Sequence, residues 1–316
     1  MTDLYQRLDH GITVVDTGFV RPRFDASFLV VESGRAAFIE TGPNSAVPRL
    51  LAALEAHGLD RDAVDYVIPT HVHLDHAGGV GLLMQELPRA KLVIHPRGAR
   101  HMVDPSVLMD GARAVYGREV VAQHYGELVP VAAERIVTTS DGMILELGER
   151  PLQFADTPGH ARHHNCIWDG ASRGWFTGDT FGIVYPDLQT PRGPYIVPAT
   201  APVQFDQPAL HATVARLLAR RPDVVYLTHY GAVRGIEVLE KLSLQFLAQV
   251  DAMVDAAREL AAAPQRHEQL KRAFSDIYVA ELLRSGSTQS ENSLRELLAT
   301  DVELNAQGLG AWLDRK

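Results

Sequence analysis

The chain has 316 residues, 46% of them hydrophobic and 22% charged, with a formal net charge of −9. This is the composition of a soluble globular protein, long enough for one large domain or two moderate ones. The acidic balance and the lack of any run of five Lys/Arg argue against a nucleic-acid partner, and the single cysteine, Cys166, excludes an intrachain disulfide and fits a reducing compartment.

Met1 to Arg7 is polar, with no apolar h-region, and no apolar stretch approaches the ~20 residues of a membrane span. A cytoplasmic protein with no membrane partner is expected. Strands are predicted at 12–16, 26–32 and 35–39. A helix follows from Ser45, as N-cap, to about His57, with Gly58 as its stop. Residues 64–68 form a strand that runs straight into Pro69-Thr70-His71. A helix from near His76 to before Pro88 and a strand at 91–95 complete the first half. Residues 97–128 read as helical with breaks at Pro105 and Gly117, a candidate cover. Strands at 135–139, 143–147, 152–156, 166–169 and 174–177 are separated by Asp-Gly and Gly turn signals. A helix at 204–221 leads to a strand at 224–228. Residues 236–263, 265–284 and 290–314 are helical, and their apolar stripes suit core contacts or a homodimer interface. The alternation of strands and helices places the chain in the α/β class.

The densest chemistry lies in Thr70-His71-Val72-His73-Leu74-Asp75-His76. It sits just past the C-terminal end of a strand, where function concentrates in α/β folds. In an extended segment, residues two apart point the same way, so His71 and His73 can grip one ion together. Asp75 and His76 follow where the chain turns into a helix and point elsewhere. Two pairs facing different ways suit two ions better than one. Cys166, within Asn165-Cys166-Ile167-Trp168, reads as a small buried hydrophobe.

Three further motifs follow in order: His160 in Thr157-Pro158-Gly159-His160, Asp179 in Phe176-Thr177-Gly178-Asp179-Thr180, and His229 in Tyr226-Leu227-Thr228-His229-Tyr230-Gly231. With the His-x-His-x-Asp-His run they resemble the metallo-β-lactamase-fold metallo-hydrolase superfamily, on its glyoxalase II and lactonase-like side, over roughly residues 12–235. The resemblance implies a four-layer αββα sandwich over 1–235, to which the residue pattern adds 97–128 as a candidate helical cover and a helical C-terminal extension over 236–316. It implies that His71, His73 and His160 bind a first metal, that Asp75, His76 and His229 bind a second, and that Asp179 bridges them. Asp75 and Asp179 are the carboxylates expected to serve catalysis. Imidazole and carboxylate ligands suit two zinc ions, and also iron or manganese.

One departure from the family pattern is visible. An Asp before Gly is usual at the end of an early strand; here the stretch is Phe38-Ile39-Glu40-Thr41-Gly42. Glu40 reaches one methylene further and is expected to orient a ligand histidine or to serve as a turn carboxylate. His164 falls at a position that is often polar in the family and is expected to face substrate or nearby backbone; neither it nor His163 is expected to be a ligand. Tyr185, Tyr195 and Tyr230 are candidate oxyanion donors or substrate contacts. His95, His101, His124 and His211 read as ordinary surface or partly buried residues. The Pro- and aromatic-rich segment 186–202 is expected to be an ordered loop near the site.

The resemblance implies a dinuclear hydrolase that uses a bridging hydroxide against an ester, thioester or lactone carbonyl of a small molecule. The helical extension also looks like that of glyoxalase II, which takes a glutathione thioester. Iron-dependent redox action, of the persulfide dioxygenase or oxygen-reducing di-iron type, is the alternative. Phosphodiester hydrolysis fits less well, because no added domain or basic surface is evident. Classical β-lactamase action fits less well without an export signal, and a non-catalytic effector fits poorly with seven intact ligands.

Overall fold

The computed structural model describes residues 4–200 and 204–315. The first three residues of the polar N-terminal run, and positions 201–202 of the expected 186–202 loop, lie outside the described residues. Thirteen strands and eleven α-helices follow one another among the described residues.

The first sheet has seven strands in sequence order: β1 (Tyr5–Arg7), β2 (Ile12–Asp16), β3 (Ala26–Glu32), β4 (Arg35–Ile39), β5 (Val64–Ile68), β6 (Lys91–Ile94) and β7 (Ile136–Thr138). β1 to β4 pair antiparallel and β4 to β7 parallel. The second sheet runs β13 (Gly231–Arg234), β12 (Val224–Leu227), β11 (Gly174–Gly178), β10 (Asn165–Asp169), β9 (Arg150–Asp156) and β8 (Ile144–Leu147). Its β11 and β12 are parallel, whereas β8 to β11 are antiparallel.

Period-two alternation explains how the first sheet is buried on both faces. Val15, Leu29 and Phe38 point to one side, against Leu50 and Leu54 of α1 (Val47–Ala56) and Val80 and Leu83 of α3 (Val80–Glu86). Val14, Phe28, Val30 and Ile39 point to the other, where Phe154, Ile167, Phe176 and Tyr226 of the second sheet meet them. Phe28, Phe176 and Tyr226 form an aromatic nest, with the Phe176 and Tyr226 rings stacked at 4.5 Å. Each such fully buried side chain contributes about 1.5–3 kcal/mol of transfer free energy.

The predicted helix from Ser45 begins differently. Asn44–Ala46 form a 3-10 turn, α1 starts at Val47 with Pro48 in its first turn, and no side chain caps either element. The expected helix after His76 is two pieces, α2 (Leu74–Ala77) and α3, joined at Gly78-Gly79. The region 97–128 is helical with the expected breaks: α4 (Pro96–Val103), α5 (Ser106–Tyr116) and α6 (Arg118–His124). Met109, Ala112 and Val121 of this cover form a small core around Leu74, inside the histidine run. Cys166 is buried, its Sγ 3.7 Å from the Thr177 carbonyl.

The chain divides into two compact units. The first comprises residues 1–156, 163–178 and 223–232. The second comprises 157–162, 179–222 and 233–316. It contains α7 (Gln207–Ala219), α8 (Ile236–Glu259), α9 (Arg266–Arg284), α10 (Glu291–Leu297) and α11 (Ala299–Leu313). The single helix expected over 290–314 is broken at Leu298, and Ser290 caps its first piece through the Ser293 amide. A core of Leu242, Phe246, Met253, Leu270, Phe274 and Leu309 is buried in this unit. No helix among the described residues is long and apolar enough to cross a membrane.

Candidate metal centre

Polar residues follow closely on four strand ends: Glu40 after β4, Thr70 and His71 after β5 and Pro69, Asp179 after β11, and Thr228 and His229 after β12. Carboxyl ends of parallel strands are where such folds assemble sites.

In the first unit the organising group is Glu40. It is buried, and its backbone sits at φ 65, a left-handed conformation that costs a non-glycine residue about 1–3 kcal/mol unless its surroundings over-determine it. They do so here. The Glu40 amide donates to the Ile68 carbonyl at 3.1 Å and the Ser27 hydroxyl donates to the Glu40 carbonyl at 2.7 Å. The carboxylate accepts from the Thr70 amide at 3.1 Å, the Thr70 hydroxyl at 2.5 Å, the Thr228 hydroxyl at 3.2 Å and His76 Nδ1 at 3.1 Å. The longer side chain thus orients a histidine of the run and also ties β4, β5 and β12 together.

These bonds choose tautomers. A carboxylate or a carbonyl only accepts, so a ring nitrogen facing one must carry the proton, and the other nitrogen keeps its lone pair. His76 Nδ1 faces Glu40, and His229 Nδ1 lies 2.8 Å from the Phe24 carbonyl. His71 Nδ1 lies 3.0 Å from the Thr70 hydroxyl, whose own proton goes to Glu40. His76 Nε2 and His229 Nε2 then lie 3.8 and 3.5 Å from the same oxygen, Asp75 Oδ2. Such separations are too long for hydrogen bonds. They are near the edge of a ligand tetrahedron, about 3.3–3.6 Å for atoms 2.0–2.2 Å from one ion. Ligand atoms of Asp75, His76 and His229 fall within 4.8 Å of one another, so the donor set fits a divalent metal. His71 Nε2 and His73 Nδ1 converge as well, at 2.8 Å.

His163 and His164 belong to the same histidine cluster. The His164 ring stacks on His71 at 4.9 Å, and His163 lies edge-on to His73 at 5.6 Å. Gly178 borders them at φ 49; a Cβ there would stand 2.3 Å from Thr70 Oγ1 and 2.7 Å from His164 Nε2, so only glycine fits before Asp179.

Two residues of this unit were not singled out by sequence. Phe24 supplies the carbonyl for His229 and sets its ring edge-on to that imidazole at 5.4 Å. Asp25 is buried, and burial pushes its carboxyl up to about 7, against the pull of His229 and His76. The Thr17 hydroxyl donates to it at 2.8 Å. Burial, and then the charge of Asp75, raises the Tyr125 phenol far above its ordinary value.

The second unit holds the other two expected ligands. His160 Nε2 and Asp179 Oδ2 are 3.6 Å apart, and His160 Nδ1 lies 2.8 Å from the Ala199 carbonyl, which assigns its proton by the same rule. The loop carrying His160 is clamped by α7: the Asp206 amide donates to the Gly159 carbonyl at 2.8 Å and the Thr213 hydroxyl to the Pro158 carbonyl at 2.7 Å. Gly159, at φ 139, passes so close that a Cβ would meet Leu210 Cα at 2.5 Å.

Tyr185 and Tyr195 do not stand as oxyanion donors. Both are buried in the second unit, with their hydroxyls donating to Asp301 at 3.0 Å and to Gln249 at 2.7 Å. Tyr230 is half-buried, its ring 5.5 Å from the Arg23 guanidinium carbon, and burial pushes its phenol up to about 12. His95 accepts from the Arg97 amide at the start of α4, and His211 pairs with Asp251 at 2.8 Å.

The profile of the Metallo-beta-lactamase superfamily matches residues 20–229. The chain is 24% identical over 197 residues to the Metallo-beta-lactamase fold-containing protein ST1585 of Sulfurisphaera tokodaii, covering 61% of this chain and 70% of that one. The crystal structure of ST1585, an archaeal metallo-beta-lactamase superfamily protein from Sulfolobus tokodaii, superimposes with a TM-score of 0.65 at 20% identity, over 96% of this chain and 99% of that chain. That likeness shows the fold: an α/β sandwich of the metallo-β-lactamase type with C-terminal helices. The chain is also 29% identical over 164 residues to the acyl-coenzyme A thioesterase MBLAC2 of Gallus gallus, and 28% identical over 162 residues to the type A flavoprotein fprA of Rhodobacter capsulatus. It spans 48% and 32% of the length of those two relatives, and they cover 48% and 51% of this chain.

Proposed function

This chain belongs to the metallo-beta-lactamase superfamily, and on that footing we propose that it is a metal-dependent hydrolase of a small-molecule ester, thioester or lactone. The convergence of Asp75, His76 and His229, with their imidazole protons held on the far nitrogens, carries the reading. We assign His71, His73 and His160 to one divalent ion, Asp75, His76 and His229 to a second, and Asp179 to both. Zinc suits these nitrogen and oxygen donors. When bound, such ions lower the pKa of a water and polarise a carbonyl oxygen.

The chain's own groups supply orientation. Glu40, the Thr70 hydroxyl and the carbonyls of Phe24 and Ala199 hold imidazole protons away from the ligand side, so rings need not turn or shed a proton to bind. Asp75 and Asp179 bring the negative charge that offsets two dications. Of the three carbonyl classes we put an acyl thioester first, since one relative is named as a thioesterase.

The test is a chelation series with elemental analysis, run against ester, thioester, lactone and phosphodiester substrates. Thioester turnover that disappears with the metal and returns with zinc supports the proposal. A verified metal-free sample that retains turnover refutes it. A second reading, iron-dependent redox action, draws on the thiolate-free donor set and the flavoprotein relative. Stoichiometric iron with oxygen uptake would favour it over hydrolysis.

A further inference from the structure

The last long helix of the second unit reaches the candidate ligand His160 through one buried carboxamide. Asn305 lies on α11 and is 3% exposed. Its Oδ1 accepts from the Thr200 amide at 2.6 Å and the Thr200 hydroxyl at 2.7 Å. Its Nδ2 donates to the Pro198 carbonyl at 2.9 Å and to the Tyr278 hydroxyl at 3.0 Å. Both donors and both acceptor sites of the carboxamide are thereby used. Three of those four bonds fall on Pro198 and Thr200, the residues either side of Ala199. The Ala199 carbonyl is the group that accepts from His160 Nδ1. Thr200 is itself fully buried, and Tyr278 is anchored in turn by its hydroxyl on Met253 Sδ at 3.1 Å.

We propose that Asn305 is a positioning residue for the metal ligand His160. It pins the backbone on both sides of Ala199, and so aims the carbonyl that holds the His160 proton on Nδ1 and turns Nε2 toward Asp179. The inference rests on the reading of His160 as a ligand. It gives the C-terminal helices a function beyond packing: they set the direction of one imidazole. A point on α11 that touches neither metal nor substrate then governs the affinity of the His160 ion, and leaves the ion held by Asp75, His76 and His229 alone.

The test uses the full chain, stripped of metal and titrated with Co(II), whose visible absorption reports each ion as it binds. Four variants are compared with the parent: Asn305→Leu, Thr200→Val, Thr200→Ser and His160→Gln. Asn305→Leu should weaken one of two binding steps by about 10–100-fold, the usual effect of losing a partner behind a ligand, and leave the other step in place. Thr200→Val should weaken the same step less, and Thr200→Ser, which keeps the hydroxyl, should restore it. Equal weakening of both steps by Asn305→Leu, or no change in either, overturns the proposal. If Asn305→Leu does not fold, the contrast of Thr200→Val with Thr200→Ser decides, and identical cobalt curves for those two overturn it. His160→Gln separates the layers. If it leaves both steps intact, the ligand reading is wrong and the proposal falls with it; if it abolishes one step that Asn305→Leu spares, the positioning role alone is wrong.

Discussion

The two regions that carry the expected ligands are built by different means. In the first unit four expected ligands come from six consecutive residues, and the groups that aim them lie at the ends of β4, β5 and β12: Glu40, Thr70 and Thr228. In the second unit, His160 and Asp179 come from separate loops. His160 is aimed by α7 through the Gly159 and Pro158 carbonyls, and by α11 through Thr200 and Asn305. One region is a compact sheet-end cluster, the other a loop held by helices distant in sequence. A cluster of the first kind tolerates little at a few positions. One of the second kind divides the same task among contacts from separate helices.

Removing a ligand from either region should have the largest effect. Asp75→Ala and Asp179→Ala should each lose about 10³-fold or more in kcat/KM, several kcal/mol of transition-state stabilisation, together with bound metal by elemental analysis. If Asp179→Ala kept full metal and rate while Asp75→Ala lost both, the second region would not be part of a centre at all.

Glu40→Ala strikes the compact region at its anchor. Four buried donors lose their acceptor at once, so a loss of about 2–4 kcal/mol in urea unfolding is expected, with metal affinity down about 10–100-fold. Glu40→Gln, which still offers an oxygen to His76, should recover part of both. A Glu40→Ala protein as stable and as metal-avid as the parent would break the contrast between the two regions.

Asp25 tests the compact region by pH. Its folded carboxyl, raised from 3.8 to about 7 by burial, holds a proton that the unfolded chain releases. Stability of the metal-free protein should therefore fall as pH rises through that window, with the loss complete above pH 7. Asp25→Asn has no proton to lose. Its advantage over the parent should grow by on the order of 2 kcal/mol between pH 5 and pH 8 in urea melts. An advantage independent of pH would show that the carboxyl ionises freely in the fold.

The smallest effect is expected where contacts are shared. Tyr195→Phe removes the hydroxyl that reaches Gln249 and the Tyr278 carbonyl, one of several links from the 179–200 segment to the helices, and should cost about 1 kcal/mol in thermal unfolding with kcat unchanged within about twofold. A large rate loss would mean that the helix-held region is as finely tuned as the compact one.

This contrast also decides what can be read from residues alone. Strands β2, β3, β4 and β5 are evident because apolar residues recur there in short runs, and the four candidates of the His71–His76 run stand out because imidazole and carboxylate are rare at such spacing; His160, Asp179 and His229 stand alone in the sequence and are picked out only by the family resemblance. Glu40 is visible as a departure from the family's pattern, a longer carboxylate at the end of an apolar strand. Ser45 misleads because a 3-10 turn intervenes before α1. The break at Leu298 is invisible because good helix formers flank it on both sides. Phe24 and Ala199 leave no trace, since each contributes a backbone carbonyl that any residue would supply. Asn305, among the polar residues of a helix, has nothing in the sequence to pair it with Thr200.

The carbonyl acceptors at Phe24 and Ala199 bear on how the protein can change. Because the acceptor belongs to the main chain, most substitutions at position 199 leave it in place, whereas a shift of chain length moves it. In a saturation library, point replacements at Ala199 should survive selection far more often than a one-residue deletion or insertion between Val197 and Thr200. The loop is indifferent to spelling and strict about counting.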